Sequence, residues 1–179
     1  MKQLHIITPV KDSIELTLQT IESIMASEFT VPYHYYVYND FSTDENTARL
    51  SEASGKMGFE LINLSDLTDH PSPNYLLILQ AAQQKAIDAD AGLLIVESDV
   101  IVKKHTLQSL FDGALIRSDC GIAAAVTVDE QENINYPYLY AKGKEGKVFP
   151  EKKHLSFCCS LLTVSFLKAF DFHQLDPEK

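Results

Sequence analysis

The sequence predicts an α/β fold in which a mainly parallel sheet is flanked by helices on both faces. Apolar runs of strand length alternate with segments of helical period between residues 4 and 128, which is typical of βαβ units. The run Leu93–Val96 is apolar throughout and ends on Glu97 and Asp99, as expected of a buried strand that meets solvent at its carboxyl end. A chain of 179 residues is long enough to bury the core of one such domain.

Five strands and four helices are predicted in this part of the chain. The strands are Leu4–Thr8, which Pro9 should end, then Tyr33–Tyr38, Phe59–Leu64, Gly92–Glu97 and Gly121–Val128. The helices cover residues 12–26, 43–53, 73–88 and 107–114, where apolar side chains recur with helical spacing. Three of them begin with capping signals, which are Asp12 with Glu15, Ser42 with Glu45, and Ser72 before Pro73.

The remaining residues show weaker patterns. Periodicity is lost between residues 129 and 149, and Gly143 and Gly146 are typical of a turn, so this segment is predicted to be a hairpin or mobile flap. The apolar segment Leu155–Phe170 is expected to begin irregular and to end helical. Cys120, Cys158 and Cys159 lack the spacing of zinc ligands, and the adjacent Cys158 and Cys159 are interpreted as reduced core residues.

Composition and charge argue against several classes of partner. The formal net charge of −10 is the opposite of the basic footprint that nucleic-acid-binding proteins display. The sequence has no apolar stretch long enough to span a bilayer, and residues 1–5 lead directly into a strand without the pattern of a signal peptide. We therefore expect a cytoplasmic protein, and a peripheral position at the inner membrane face is compatible with that expectation.

Polar residues follow three of the predicted strands, and the carboxyl ends of parallel strands meet at one edge of a sheet. A single crevice is therefore expected to contain Pro9, Asp40 and Asp99. Asp99 suits a hard divalent cation that shares oxygen ligands with a diphosphate, and Asp40 suits a hydrogen bond from a base N–H. Considered singly, Asp40 and Ser42 also fit turn and cap roles, and Asp99 fits a solvated strand end. The glycine motifs of dinucleotide folds and P-loops do not occur.

These strand ends resemble those of the family 2 glycosyltransferases, which have the GT-A fold. Asn39–Asp44 stands where that family has Asp-Asp-x-Ser-x-Asp, and Glu97-Ser98-Asp99 stands where it has Asp-x-Asp. Ile7–Val10 is similar to the end of the family's first strand, and Phe157–Thr163 is similar to its acceptor-side segment. The order and the strand-end positions of these elements together make the resemblance fairly specific, and it extends over about the whole chain.

The resemblance implies transfer of a sugar from a UDP- or GDP-linked donor to an acceptor hydroxyl, with inversion. Mn²⁺ or Mg²⁺ would be the cofactor, bound by Asp99. The nucleotide would contact five residues, namely Thr8 and Pro9 near the base, Asp40 on a uracil-like edge, Ser42 in the loop, and Glu97 towards the ribose or the metal. Residues 1–179 would form one domain, with the donor half in 1–128 and the flap and acceptor-side segment in 129–179.

The catalytic residue is not identified by the resemblance. Inverting members use a carboxylate as general base a few residues beyond the element that matches Phe170-Asp171. That base is expected just beyond Lys179, which implies a domain truncated at its carboxyl end, and Glu178 is a weak candidate within the chain. The resemblance does not identify the acceptor either.

Two alternatives accompany the glycosyltransferase hypothesis. A catalytically silent domain that binds a nucleotide sugar or a protein partner needs no general base. A nucleotidyltransferase is expected to have a glycine-rich, basic loop after the first strand, whereas residues 8–13 contain one lysine and no glycine. The second alternative therefore ranks below the first.

Overall fold

Within residues 1–151 and 154–175, which the computed structural model describes, six strands form one sheet. Their bounds are β1 Leu4–Val10, β2 Tyr33–Asn39, β3 Glu60–Asn63, β4 Gly92–Val96, β5 Ile122–Ala124 and β6 Cys159–Leu162. The spatial order is β3-β2-β1-β4-β6-β5, in which the first four strands are parallel and β6 is antiparallel to both neighbours. The mainly parallel sheet that the sequence predicts is confirmed.

Helices cover both faces of this sheet. The α-helices are α1 Ile14–Met25, α2 Asp44–Met57, α3 Tyr75–Asp88, α4 Thr106–Leu115 and α5 Val164–Ala169. Helices α1, α2 and α4 pack around Ile6 and Leu94 on one face, and α3 and α5 pack around Ile7 and Ile95 on the other. Because neighbouring strand residues point to opposite faces and both faces are covered, β1 and β4 are buried at every position.

Strand β1 continues through Pro9, so the expectation that this proline ends the strand is wrong. The carbonyl of Val10 accepts a hydrogen bond from the amide of Asp40, 2.7 Å away, on the β2 side. Neighbouring residues of a strand direct their backbone groups to opposite sides, so Pro9 faces β4. The pairing of β1 with β4 ends at Ile7 and Ile95, and the missing N–H of Pro9 therefore costs no ladder hydrogen bond.

The segment that was expected to begin irregular contains β6, which lies between β4 and β5. All four residues of β6 are buried. A strand that is covered on both faces shows a short apolar run without alternation, and such a run is not distinguishable from a buried helix by period. The helical end of the segment is confirmed by α5, whereas β5 is shorter than the predicted Gly121–Val128.

Residues 129–149, predicted to be a hairpin or mobile flap, fold into a series of turns, the last of which covers residues 142–147. An isolated bridge between Val128 and Ile134 closes the first turn, and Tyr138–Ala141 forms a 3-10 turn. The ring of Tyr138 is buried, and its hydroxyl oxygen accepts a hydrogen bond from the amide of Ser156, 3.0 Å away. The second turn is thus fixed to the chain that enters β6. In the described ranges, none of the helices has the length and apolar character needed to cross a membrane.

Candidate functional site

The carboxyl ends of β1, β2 and β4 lie at one edge of the sheet and bring most of the predicted site residues to that edge. Val10 pairs with Asn39, which places Asp40 beside the end of β1. Ile7 pairs with Ile95, and Glu97 follows that last paired position of β4 by two residues. This edge is where open α/β sheets bind their ligands.

Asp40 is buried at the end of β2, and both of its carboxylate oxygens are held. Its Oδ2 accepts hydrogen bonds from the hydroxyl of Ser72 at 2.7 Å and from the amide of Asn74 at 2.9 Å. Its Oδ1 accepts a hydrogen bond from the side-chain amide of Asn74 at 2.8 Å. A carboxylate at the start of a helix satisfies free N–H groups and complements the helix dipole. Asp40 therefore caps α3 from outside that helix.

This arrangement corrects the predicted start of α3. Ser72 was expected to be the N-cap and Pro73 the first helical residue, but the helix begins at Tyr75 and follows Asn74. The hydroxyl of Ser72 donates a hydrogen bond to Asp40, and Ser72 makes no side-chain cap for its own helix. The cap comes from a residue 34 positions earlier in the chain, which a local sequence pattern does not contain.

Glu97 lies at the end of β4 and is linked to the same helix. The hydroxyl of Tyr75 donates a hydrogen bond to its Oε1 at 2.7 Å. Burial raises the pKa of Glu97 above its ordinary value; the hydrogen bond from Tyr75 opposes that rise, and the nearby Asp99 adds to it. Asn74 and Tyr75, two adjacent residues at the start of α3, therefore hold the two partly or fully buried carboxylates of this edge.

Asp99 is exposed, and its carboxylate makes no hydrogen bond or ion pair with the residues that the structure describes. Over the same ranges, no group of three or more His, Cys, Asp or Glu side chains is arranged to hold a metal ion. Asp99 and Glu97 are thus the carboxylates at this edge that a cation could use. A site with one or two protein carboxylates fits Mg²⁺ or a similar hard cation, which takes its other ligands from water and substrate phosphates.

Thr8 and Pro9 lie inside the sheet and leave little side-chain surface at the crevice. Thr8 is fully buried, and its hydroxyl forms a hydrogen bond of 2.9 Å with the hydroxyl of Tyr35. Burial raises the pKa of Tyr35, so that side chain stays a neutral phenol. Pro9 is buried next to Tyr38 of β2. The predicted base contact of these two residues is untested and stays a prediction.

Ser42 lies in the loop after β2, but it is not the cap of α2. The helix begins at Asp44, and the hydroxyl of Thr43 accepts a hydrogen bond from the amide of Asn46 at 3.3 Å. Ser42 accepts one from the amide of Asp12 at 2.8 Å. This bond joins the loop after β2 to the loop after β1, so Ser42 shapes the crevice through the backbone.

The predicted capping box of α1 is also wrong. Helix α1 begins at Ile14, and Asp12 points its carboxylate across to α2, where it accepts hydrogen bonds from the amide of Thr43 at 2.9 Å and the side chain of Asn46 at 3.1 Å. These bonds hold the pKa of Asp12 below its usual range. Glu15 pairs with Arg49 at 2.7 Å.

Sequence reasoning missed Asn74 and Tyr75 as site residues. The available signal was topological, because α3 follows β3 in a parallel sheet and must therefore start at the same edge as Asp40 and Glu97. Glu178, the weak candidate for the general base, lies outside the described residues.

No protein-family model and no curated protein matches this chain. Several solved structures are similar to it. A mannosyltransferase from Pyrobaculum calidifontis in complex with GDP-Man and Mn²⁺ is 14% identical, with a TM-score of 0.50 over 73% of this chain and 36% of its own. Glucosyl-3-phosphoglycerate synthase from Mycobacterium tuberculosis, in complex with Mn²⁺, UDP and glucosyl-3-phosphoglycerate, is also 14% identical. Its TM-score is 0.50 over 68% of this chain and 42% of its own.

A third structure, described as a mycobacterial protein, is 17% identical, with a TM-score of 0.51 over 68% of this chain and 39% of its own. The matched region thus spans less than half of each of these three chains. At such identities the similarity concerns the fold. The chain has the same fold as these proteins, which is the GT-A fold.

Proposed function

We propose that this chain is the donor-binding part of a glycosyltransferase that moves a sugar from a nucleoside-diphosphate donor to an acceptor hydroxyl. The observation that carries the proposal is the position of Asp40, Glu97 and Asp99 at the carboxyl edge of a GT-A fold. The complexes of the two named enzymes with GDP-Man and with UDP, each with Mn²⁺, support a GDP- or UDP-linked donor and a divalent cation. Inversion of the sugar carbon follows only from the family resemblance.

Asp99 is the residue to which we assign the metal. Its carboxylate is exposed and uncommitted, whereas Glu97 is bonded to Tyr75 and is the less available ligand. Carboxylate oxygens are the donors that Mn²⁺ and Mg²⁺ prefer, so the residues present fit such a cation. When bound, the cation would neutralise the charge that develops on the departing diphosphate.

Asp40 is the residue to which we assign the nucleotide base. A carboxylate has about four acceptor positions, and Ser72 and Asn74 together occupy three of those of Asp40. One position on Oδ1 remains for a base N–H. Because Asn74 fixes the plane of the carboxylate, this last acceptor would be oriented before the nucleotide arrives, which lowers the entropy cost of binding.

A second candidate, binding of a nucleotide sugar without turnover, is favoured by the same contacts. Of the three carboxylates to which we assign the donor, Asp40 and Glu97 are already engaged by α3, and Asp99 is assigned to the metal. None of the three is then free to act as the general base that removes the proton of an acceptor hydroxyl.

Product release separates the two candidates. The protein is incubated with UDP- and GDP-linked sugars, with and without Mn²⁺, and the free nucleoside diphosphate is measured. Sugar transfer or slow hydrolysis that requires Mn²⁺ and is lost in Asp99→Asn supports the transferase. Metal-dependent binding without release supports the silent domain. If no nucleotide sugar is bound or turned over, both candidates are wrong.

A further inference from the structure

The turn after Tyr138–Ala141 concentrates positive charge in an acidic protein. Residues 142–153 contain five lysines and two glutamates, a net charge of +3 in a chain whose formal net charge is −10. We call residues 142–147 the basic turn; it contains Lys142, Lys144 and Lys147, all exposed. A local charge opposite in sign to that of the whole molecule indicates an anionic partner at this place.

The lysines of the basic turn also differ from the other cations in their pairing. Among the described residues, eight of the nine other Lys and Arg side chains lie within 4.0 Å of a carboxylate. None of the three lysines of the basic turn forms such a pair with a described residue. Glu145, within the turn, instead accepts a hydrogen bond from the amide of Gly143 at 2.9 Å. Lys144 lies over the ring of Phe149, with its Nζ 4.3 Å from the ring centroid. The three lysines thus form no ion pair with a described residue, and Glu145, whose pKa Lys147 and Lys142 help to lower, offsets one of their three charges.

Exposed apolar side chains follow the basic turn in the sequence and lie at the end of α4, near Val148. Val148 follows the basic turn, is 66% exposed, and lies 3.9 Å from the position that a Cβ on Gly113 would take. The amide of Ile116 is bonded to the carbonyl of Gly113, and Leu115 and Ile116 are 54% and 65% exposed. We call Leu115, Ile116 and Val148 the apolar rim. Free lysines beside exposed aliphatic side chains form the combination that binds bilayer interfaces.

We propose that the basic turn and the apolar rim bind the surface of a membrane that contains anionic lipids. The lysines would lie at the lipid phosphates, and the apolar rim would enter the boundary between headgroups and acyl chains. The overall negative charge does not prevent this, because screening limits its reach to about 8 Å at physiological ionic strength. A soluble polyanion would satisfy the lysines but would leave the apolar rim in water, so the bilayer fits both features. This inference does not depend on the proposed sugar transfer.

Vesicle co-sedimentation tests the proposal without any nucleotide. The full chain is mixed with vesicles of phosphatidylcholine alone or with phosphatidylglycerol added. We expect binding to the anionic vesicles only, weakened by salt. Because each lysine near an anionic surface contributes about a fivefold gain in partitioning, the triple variant K142Q/K144Q/K147Q should lose on the order of 100-fold. The matched control K56Q/K104Q/K168Q makes the same change in charge elsewhere and should bind nearly as the unmodified protein does.

A second variant separates a bilayer from a soluble polyanion. I116S/V148S should bind the anionic vesicles less well and bind inorganic polyphosphate as the unmodified protein does, with circular dichroism confirming the fold of each variant. The proposal is overturned if anionic and neutral vesicles bind alike, or if the control loses as much as K142Q/K144Q/K147Q. It is also overturned if I116S/V148S keeps full vesicle binding, because the lysines would then serve a soluble polyanion.

Discussion

At the scale of single residues, Asp99 is the position on which the metal assignment depends. Asp99→Asn keeps the shape of the side chain and removes the charge that a hard cation requires. Since Asp99 is exposed, has no partner among the described residues, and raises the pKa of Glu97 by repulsion, its loss should leave the free energy of unfolding within about 0.5 kcal/mol. Nucleotide binding should lose its dependence on Mn²⁺, as measured by calorimetry.

Asp112→Asn is the matched control, because Asp112 is exposed on α4 and an asparagine can keep the hydrogen bond from Gln108. It should bind metal and nucleotide as the unmodified protein does. Unfolding of Asp99→Asn, or unchanged metal-dependent binding, would show that Asp99 is only a solvated strand end.

Asp40 combines two roles, and its replacement should therefore change both stability and binding. Asp40→Ala leaves the backbone amide of Asn74 and one of its two side-chain N–H groups without acceptors inside the protein, while the other side-chain N–H keeps its bond to the carbonyl of His70. This loss should cost about 1–3 kcal/mol of unfolding free energy. The loss should appear at α3, not at α2, since Thr43 and Asp12 cap α2. Affinity for a nucleoside diphosphate should fall, while binding of free Mn²⁺ stays unchanged.

Ser42→Ala provides the comparison, because it removes one hydrogen bond to the amide of Asp12 and leaves Asp40 intact. Its effect on nucleotide affinity should be small. If Asp40→Ala destabilises the protein but binds the nucleotide normally, Asp40 is a helix cap and no more.

At the scale of elements, the packing of the start of α3 against the end of β4 affects the pKa of Glu97. Because burial raises the pKa of Glu97, the folded protein binds that proton more tightly than the unfolded chain does. Protonated Glu97 therefore makes its full contribution to the free energy of unfolding below the ordinary pKa of 4.5. This contribution is lost as the pH rises through the higher pKa of the folded protein. Glu97→Gln should therefore be more stable than the unmodified protein at pH 7, and the difference should shrink towards pH 4.5.

Urea unfolding at the two pH values measures this difference, and Glu130→Gln, at an exposed glutamate, serves as the control. A glutamine at position 97 can still accept the hydrogen bond from Tyr75. A Glu97→Gln protein that is less stable at pH 7 would mean that the carboxylate is held by attractions stronger than its burial cost.

At the start of β1, at the opposite edge of the sheet, the contribution of His5 to stability should change with pH in the opposite direction to that of Glu97. Burial lowers the pKa of His5, the neighbouring His34 and Lys85 lower it further, and Glu60 opposes them. The stability that depends on neutral His5 is present above its ordinary pKa of 6.5 and is lost as the pH falls below that value. His5→Leu should flatten the decline in stability between pH 7.5 and 5.5, and His154→Gln should not. An equal slope in all three proteins would exclude His5 as its source.

The same elements show which parts of the site could be predicted from the sequence. The strand ends that contain Asp40 and Glu97 were predictable because a buried strand is an apolar run with a polar end. The caps that Asp12 and Asp40 provide were not, because these residues serve helices whose N-cap residues lie 31 and 34 positions away, whereas the local cap of α2 at Thr43 lies one residue after the predicted Ser42. A capping box is a local pattern, and here the hydrogen bonds are formed between loops that only the folded sheet brings together.

At the scale of the whole molecule, the order of strands and helices defines the fold, and the details depend on pairing across the sheet. Alternation of strand and helix predicted the parallel part from β1 to β4. Strand β6 was not predictable, since a four-residue run buried on both faces has no period, and its place between β4 and β5 is decided by contacts distant in sequence.

Calorimetry of the unmodified protein tests the central claim most directly, namely that the carboxyl edge of this sheet is a metal-dependent nucleotide site. UDP and GDP are each titrated into the protein, first with Mn²⁺ and then with a chelator. We expect at least one of them to bind with Mn²⁺ and to bind much more weakly without it. Binding that is unaffected by the chelator, or no binding of either nucleotide with Mn²⁺ present, would contradict the account.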